Sequence, residues 1–201
     1  MKTIKETPLT WYAYLGVKPE RKIKEFLASG GDINTPDVYG KTILHHVVEH
    51  IPGTNLMKFL IQRGADVNAK ESDTWTPLHL AANVPSYAKA KLLLENGADI
   101  TAKVKDEETP LHIAAWYNDT RLVHLLINWG ADLRDGSGEH GTPLETAYYF
   151  RQYKTVRALE TCIYKQKIAE TYRSERYFEE TRRKVTTKQP QKRPLSPSHE
   201  R

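Results

Sequence analysis

The chain has 201 residues, with 30 Lys/Arg against 25 Asp/Glu, 39% hydrophobic residues and a single cysteine, Cys162. That length suits one domain with a continuous core, and one cysteine excludes an internal disulfide and fits a reducing compartment. No apolar run approaches a membrane span, and Met1–Glu6 is not followed by the apolar stretch of a secretory signal, so a soluble intracellular (cytoplasmic) protein is expected.

The predicted elements recur on a clock. Thr7-Pro8-Leu9-Thr10, Thr42-Ile43-Leu44-His45, Thr76-Pro77-Leu78-His79, Thr109-Pro110-Leu111-His112 and Thr142-Pro143-Leu144-Glu145 start at intervals of 35, 34, 33 and 33 residues. Each reads as a helix start, with Thr at the N-cap and Pro at the first helical position, where its missing donor costs nothing. Out of phase with them run Gly30-Gly31-Asp32, Gly64-Ala65-Asp66, Gly97-Ala98-Asp99 and Gly130-Ala131-Asp132. Their glycines suit the left-handed residue that ends a helix.

Between the two signatures lie two short helices. The first carries small pairs such as Ala81-Ala82 and Ala114-Ala115; the second is apolar on one face, as in Leu56, Phe59, Leu60 or Leu122, Val123, Leu125, Leu126. From Gly to the next Thr is always 12 residues, whereas Thr to Gly varies from 21 to 23. The connector is therefore metrically fixed, and extra residues enter the turn between helices, as at Gly16-Val17-Lys18-Pro19 and Ile51-Pro52-Gly53-Thr54. One supersecondary unit stacked on copies of itself is the consequence. Trp11 and Tyr12 are read as shielding the N-terminal end, and Trp129 as lying across a repeat junction.

These motifs, T-P-L-H-x-A-A and G-A-D-x-N in phase across roughly residues 7–162, make the chain resemble an ankyrin-repeat protein. The resemblance implies an all-α solenoid of about five helix-turn-helix repeats with hairpin-like connectors. Thr74, Glu107 and His140 stand where that family usually has a turn glycine, and Thr10 and Glu145 replace the signature His. Asn34 and Asn68 match a connector asparagine that is hydroxylated in some animal members of the family.

The C-terminal region divides in two. Residues 163–185 carry Tyr164, Ile168 and Tyr172 at four-residue spacing, and are read as a helical extension whose apolar stripe covers the end of the stack. Within residues 186–201 the stretches Lys188–Pro194 and Ser196-Pro197 lack apolar residues to bury, and the segment is expected to be disordered and basic. Residues 163–201 hold 11 basic and 5 acidic side chains, leaving 19 and 20 for the remainder, so a near-neutral repeat body argues against a nucleic-acid groove along the solenoid. Arg182-Arg183-Lys184 with Lys192-Arg193 resembles a two-part nuclear import signal; contact with nucleic acid or an anionic membrane, and a mute solvated tail, are the rival readings.

No phosphate loop, nucleophile elbow or Cys/His pairing is present, so no enzyme activity, small-molecule substrate or cofactor is expected. His45, His79 and His112 share one signature slot, which the resemblance implies to be structural. His46 and His50 are spaced i, i+4 and could clamp a metal, but Glu49 falls elsewhere on the helix and nothing completes the shell, so no metal is expected.

Binding is the favoured function. The resemblance implies contact positions one, three and four residues before each Thr and seven and eight after it, lining a concave face. They are Val38, Tyr39, Lys41, Glu49 and His50; Ser72, Asp73, Trp75, Asn83 and Val84; Lys105, Asp106, Glu108, Trp116 and Tyr117; and Gly138, Glu139, Gly141, Tyr149 and Phe150. Six aromatics in these slots form a stripe of the residue types that dominate interface hot spots. Tyr149 and Phe150 have a competing reading, packing inside beside the C-terminal helix. The expected function is a monomeric, non-enzymatic module gripping one or more protein partners; the alternative is an adaptor or host-directed effector whose basic tail docks or targets the captured partner.

Overall fold

The computed structural model describes residues 19–136 and 140–186, with side chains described as far as residue 180. The first Thr signature, Trp11, Tyr12, Gly138, Glu139 and the basic segment from 187 onward lie outside the described residues. Among the described residues there are nine helices and no strand. Helices α1 (Pro19–Ala28), α3 (Asn55–Ile61), α5 (Tyr87–Glu95) and α7 (Thr120–Asn128) are the second helices of repeats one to four. Helices α2 (Ile43–His50), α4 (Pro77–Asn83), α6 (Pro110–Trp116) and α8 (Pro143–Tyr149) are the first helices of repeats two to five, and α9 spans Tyr153–Thr186.

The first helices pack side by side in succession, α2 on α4, α4 on α6 and α6 on α8, while α3, α5 and α7 pair with their own first helices. Leu44, Leu78 and Leu111, in the same slot of successive repeats, are at most 1% exposed, and Ala81, Ala82, Ala114 and Ala115 are equally buried. The small pairs let neighbouring helices approach, and Met57, Leu60, Leu93, Leu122 and Leu126 close the core from the second layer. Ile43 stands where the other first helices have Pro and is fully buried, so the missing proline is replaced by core packing.

The left-handed glycines stand where the spacing predicts them: Gly30, Gly64, Gly97 and Gly130 have φ between +84° and +97°. The first three connectors are hairpin-like turns closed by backbone bonds, Asp37 N–H to Lys41 O (2.9 Å), Glu71 N–H to Trp75 O (3.1 Å) and Val104 N–H to Glu108 O (3.1 Å). Thr74 (φ +67°) and Glu107 (φ +62°) adopt the left-handed conformation of Gly40 despite their side chains. In the fourth connector Gly141 (φ +75°) has it instead of His140, one position later.

Two compact units divide between Glu160 and Thr161. In the first, the opening turns of α9 serve as the second helix of repeat five: Thr155, Val156 and Leu159 are buried, and the Asn118 carboxamide oxygen accepts from Thr155 N–H (3.2 Å) and Oγ1–H (3.1 Å). In the second, the helix carries Tyr164, Ile168 and Tyr172, which are 66%, 37% and 68% exposed.

Candidate functional site

The signature histidines hold the scaffold on which the candidate face is built. Thr42, Thr76 and Thr109 donate their backbone N–H to Nδ1 of His45, His79 and His112, at 3.1, 3.2 and 3.1 Å. A ring nitrogen that accepts carries no proton, so in the neutral ring Nε2–H donates. It reaches the next connector each time: Trp75 O (3.2 Å) from His45, Ala102 O (3.1 Å) from His79, Asp135 O (3.1 Å) and Gly141 O (2.9 Å) from His112. Burial pushes the pKa of His45 and His79 down to about 4 and that of His112 downward, which keeps the rings neutral. In repeat five, Glu145 takes the slot: its Oε2 accepts from Thr142 N–H (2.7 Å) and Oγ1–H (2.9 Å), and its own N–H returns to Thr142 Oγ1 (3.3 Å). Among the described residues α9 follows α8 with no connector between, so a group that only accepts is sufficient there.

On this frame the expected contact residues occupy distinct environments. Val38 and Tyr39 project from the first described connector, 63% and 59% exposed. Tyr39 O accepts from Ser72 N–H (3.1 Å) and Ser72 Oγ–H (2.7 Å), tying neighbouring tips together. Lys41 Nζ lies 2.7 Å from Glu49 Oε2 and 3.9 Å from Glu71, and His50 is exposed. Burial is the largest single influence on Glu49 and acts to raise its pKa, but the hydrogen bond from Lys41 and the charge of Lys41 beside it together bring the net direction down. Asp73 is exposed and pairs with Lys105 across repeats at 2.7 Å. Trp75, Asn83 and Val84 are half-buried, Trp75 lying 6.0 Å from the His79 ring. Asp106 is exposed, whereas Glu108 is only 8% exposed, so it has little surface to offer a partner.

The aromatic residues of repeats four and five form one contiguous cluster. Trp116 stacks on Phe150 with centroids 4.6 Å apart and planes 12° from parallel, and on Tyr117 at 5.8 Å. Phe150 meets Tyr149 edge-on at 5.0 Å, and His140 stacks on Tyr149 at 4.2 Å. Tyr117 O–H donates to Asn83 Oδ1 (2.8 Å), anchoring the cluster to repeat three. Tyr149 is 67% exposed, Trp116 39% and Tyr117 43%, so the competing reading of an inward-packed Tyr149 is overturned; Phe150 is half-buried under Trp116. Sequence reasoning missed His140, which stands two residues before Thr142, between the expected contact slots; its ring type was the available signal. Trp129 is 45% exposed.

One expectation needs correction. Glu49 does not point away from the histidines: its Oε2 is 3.4 Å from His50 Nε2, and among the described residues His46, Glu49 and His50 are the group that could hold a metal. No helix of the described residues is long and apolar enough to cross a membrane.

The comparisons with known proteins agree with this architecture. A family model described as ankyrin repeats (3 copies) matches residues 9–104, and a second, ankyrin repeats (many copies), matches residues 85–127. An ankyrin repeat protein of Fowlpox virus (strain NVSL) is 39% identical over 66 residues, 31% of this chain and 13% of that protein. Potassium channel AKT1 of Arabidopsis thaliana is 39% identical over 61 residues, 29% of this chain and 7% of the channel. The matches thus span a small part of each relative's length. Ankyrin repeats are generally protein–protein interaction modules. With a helical repeat architecture, histidine-linked connectors and two family models spanning residues 9–127, the chain belongs to the ankyrin-repeat family.

Proposed function

We propose that this protein binds a partner protein through the face formed by the connector tips and the exposed ends of the first helices, without catalysing a reaction. The observation that supports it best is the exposed cluster of Tyr117, Trp116, Phe150, Tyr149 and His140 across repeats four and five. Large rigid rings lose little side-chain entropy when a partner covers them, and such residues carry a disproportionate share of binding energy. Asp73, Asp106 and Lys105 surround the stripe with charge that tunes partner choice more than affinity. The working compartment is the interior of a cell, in keeping with the single cysteine.

The test is a quantitative pull-down with the full chain as bait, followed by affinity measurement on the captured protein. Trp116→Ala and Tyr149→Ala each weaken capture by about 2 kcal/mol, roughly thirtyfold, if they are hot spots. Unchanged affinity in both moves the binding face elsewhere.

A second reading is favoured by the charge asymmetry, 11 basic against 5 acidic side chains in residues 163–201. Here the protein is an adaptor whose C-terminal segment docks or delivers the captured partner, for example to a host complex or the nucleus. Deleting residues 186–201 leaves capture intact in both readings and abolishes relocation of the partner only in this one.

A further inference from the structure

His46 occupies a slot held by buried apolar residues in the next two repeats, Leu80 and Ile113. It is itself only 4% exposed, and a buried polar ring in an apolar slot needs a partner for each nitrogen. One is supplied: Nε2 lies 2.9 Å from Oδ2 of Asp37, whose side chain is fully buried. Asp37 is itself held in place, because its Oδ1 accepts from the backbone N–H of Tyr39 (2.9 Å) and Lys41 (3.0 Å). An ionised carboxylate only accepts, so Nε2–H is the donor and the lone pair of the neutral ring sits on Nδ1. That Nδ1 is buried and has no hydrogen-bond partner.

A histidine with one nitrogen fixed by a carboxylate and a lone pair on the other is wired as metal ligands are. Two further ligands stand on the same turn of α2. One ligand atom from each of His46, Glu49 and His50 lies within 4.8 Å of the others, and His50 Nε2 is 3.4 Å from Glu49 Oε2. Tetrahedral zinc, with bonds of about 2.0–2.1 Å, sets its donor atoms about 3.4 Å apart, so rotamer adjustments of roughly 1.5 Å close the set. Glu49 and His50 occupy the last turn of α2, with His46 one turn before His50, and the helix dipole there favours a cation. Lys41, now 2.7 Å from Glu49 Oε2, has the Glu71 carboxylate 3.9 Å away to move onto.

We propose that His46, Glu49 and His50 form a three-ligand site for zinc or a similar divalent transition metal, with Asp37 orienting His46. His50 is exposed, so the fourth position opens to solvent or to a side chain of a bound partner. The site stands on α2 and its connector alone and does not depend on the aromatic cluster being a binding face.

The experiment uses the untagged full chain, stripped of metal and titrated with zinc chloride by calorimetry and thermal melting, with cobalt(II) absorption as a geometric readout. One equivalent of zinc is expected to bind and, at a hundredfold excess over Kd, to raise Tm by about 5 °C or more. Cobalt(II) is expected to show the visible bands of a tetrahedral site. His50→Ala and Glu49→Gln change residues outside the core and weaken binding about tenfold or more. His46→Leu installs the residue of repeat three, keeps the fold, and abolishes binding. The proposal is overturned if the wild type shows neither heat nor a Tm shift with zinc, or if His50→Ala and His46→Leu bind as tightly as wild type. Loss of binding in Cys162→Ser alone overturns it as well.

Discussion

The imidazole of His79 joins two repeats: its Nδ1 accepts from Thr76 at the start of α4, and its Nε2–H donates to Ala102 O, 23 residues further along at 3.1 Å. The same ring thus ends one connector's hydrogen-bonding deficit and begins the next. Because a protonated ring has no acceptor, the arrangement exists only in the neutral form.

Stability is therefore expected to fall in mild acid. His45 and His79 have folded pKa values near 4, below the unfolded value near 6.5, so the unfolded chain binds more protons between those limits. The stabilisation is fully present above pH 6.5 and is lost as pH falls toward 4. Each ring contributes on the order of 3 kcal/mol over that window, with His112 adding in the same direction. Urea unfolding at pH 7.5, 5.5 and 4.5 measures it. A flat profile would remove the histidine ladder as an energetic element.

A second ladder stops early. Asn34 bridges Gly64 O (3.0 Å) and Asp66 N–H (2.8 Å), and Asn68 bridges Gly97 O (3.0 Å) and Asp99 N–H (2.7 Å). The equivalent residue in the following connector is Thr101, whose hydroxyl donates to Asp99 Oδ1 instead. Asn68→Ala should cost about 1–2 kcal/mol by removing two bonds between repeats. Thr101→Asn should extend the ladder to Gly130 O and Asp132 N–H and add about 0.5–1 kcal/mol, read from denaturation midpoints.

Glu107 holds a left-handed backbone (φ +62°) that side chains resist, at an exposed position whose bridge to Lys103 is long, 3.7 Å. Glu107→Gly should relieve about 1 kcal/mol and raise Tm by a few degrees. A fall in Tm would show that the loss of the bridge and the freer unfolded chain outweigh the relief.

Lys89 is 7% exposed, and its Nζ donates to Val48 O at 2.6 Å, closing the C-terminal end of α2 from the neighbouring repeat. Burial lowers its pKa. Lys89→Ala leaves a cavity and a carbonyl without this donor, and should destabilise by about 2–4 kcal/mol. Lys89→Met keeps the volume and should cost less; equal losses would assign the whole effect to the hydrogen bond.

Repeat phase, helix starts and the histidine slot were legible in the chain because they are local decisions. An N-cap Thr, a Pro at the first helical position and a left-handed Gly each act within one turn of backbone, so Thr76, Pro77 and Gly97 announce their structure without reference to any distant residue. The aromatic slots were legible too, but not what fills them. Trp116 meets Phe150 across 34 positions, and only the lateral offset of α6 on α8 decides that their rings stack and that His140 joins them. The same holds for Glu108, buried by its connector, and for Glu49, turned toward His50 in a rotamer that also meets Lys41. Tyr164, Ile168 and Tyr172 make a related point: their spacing places them on one helix face and says nothing of what meets that face. Periodicity specifies which side chains share a helix face, whereas burial depends on whether another element is packed against that face.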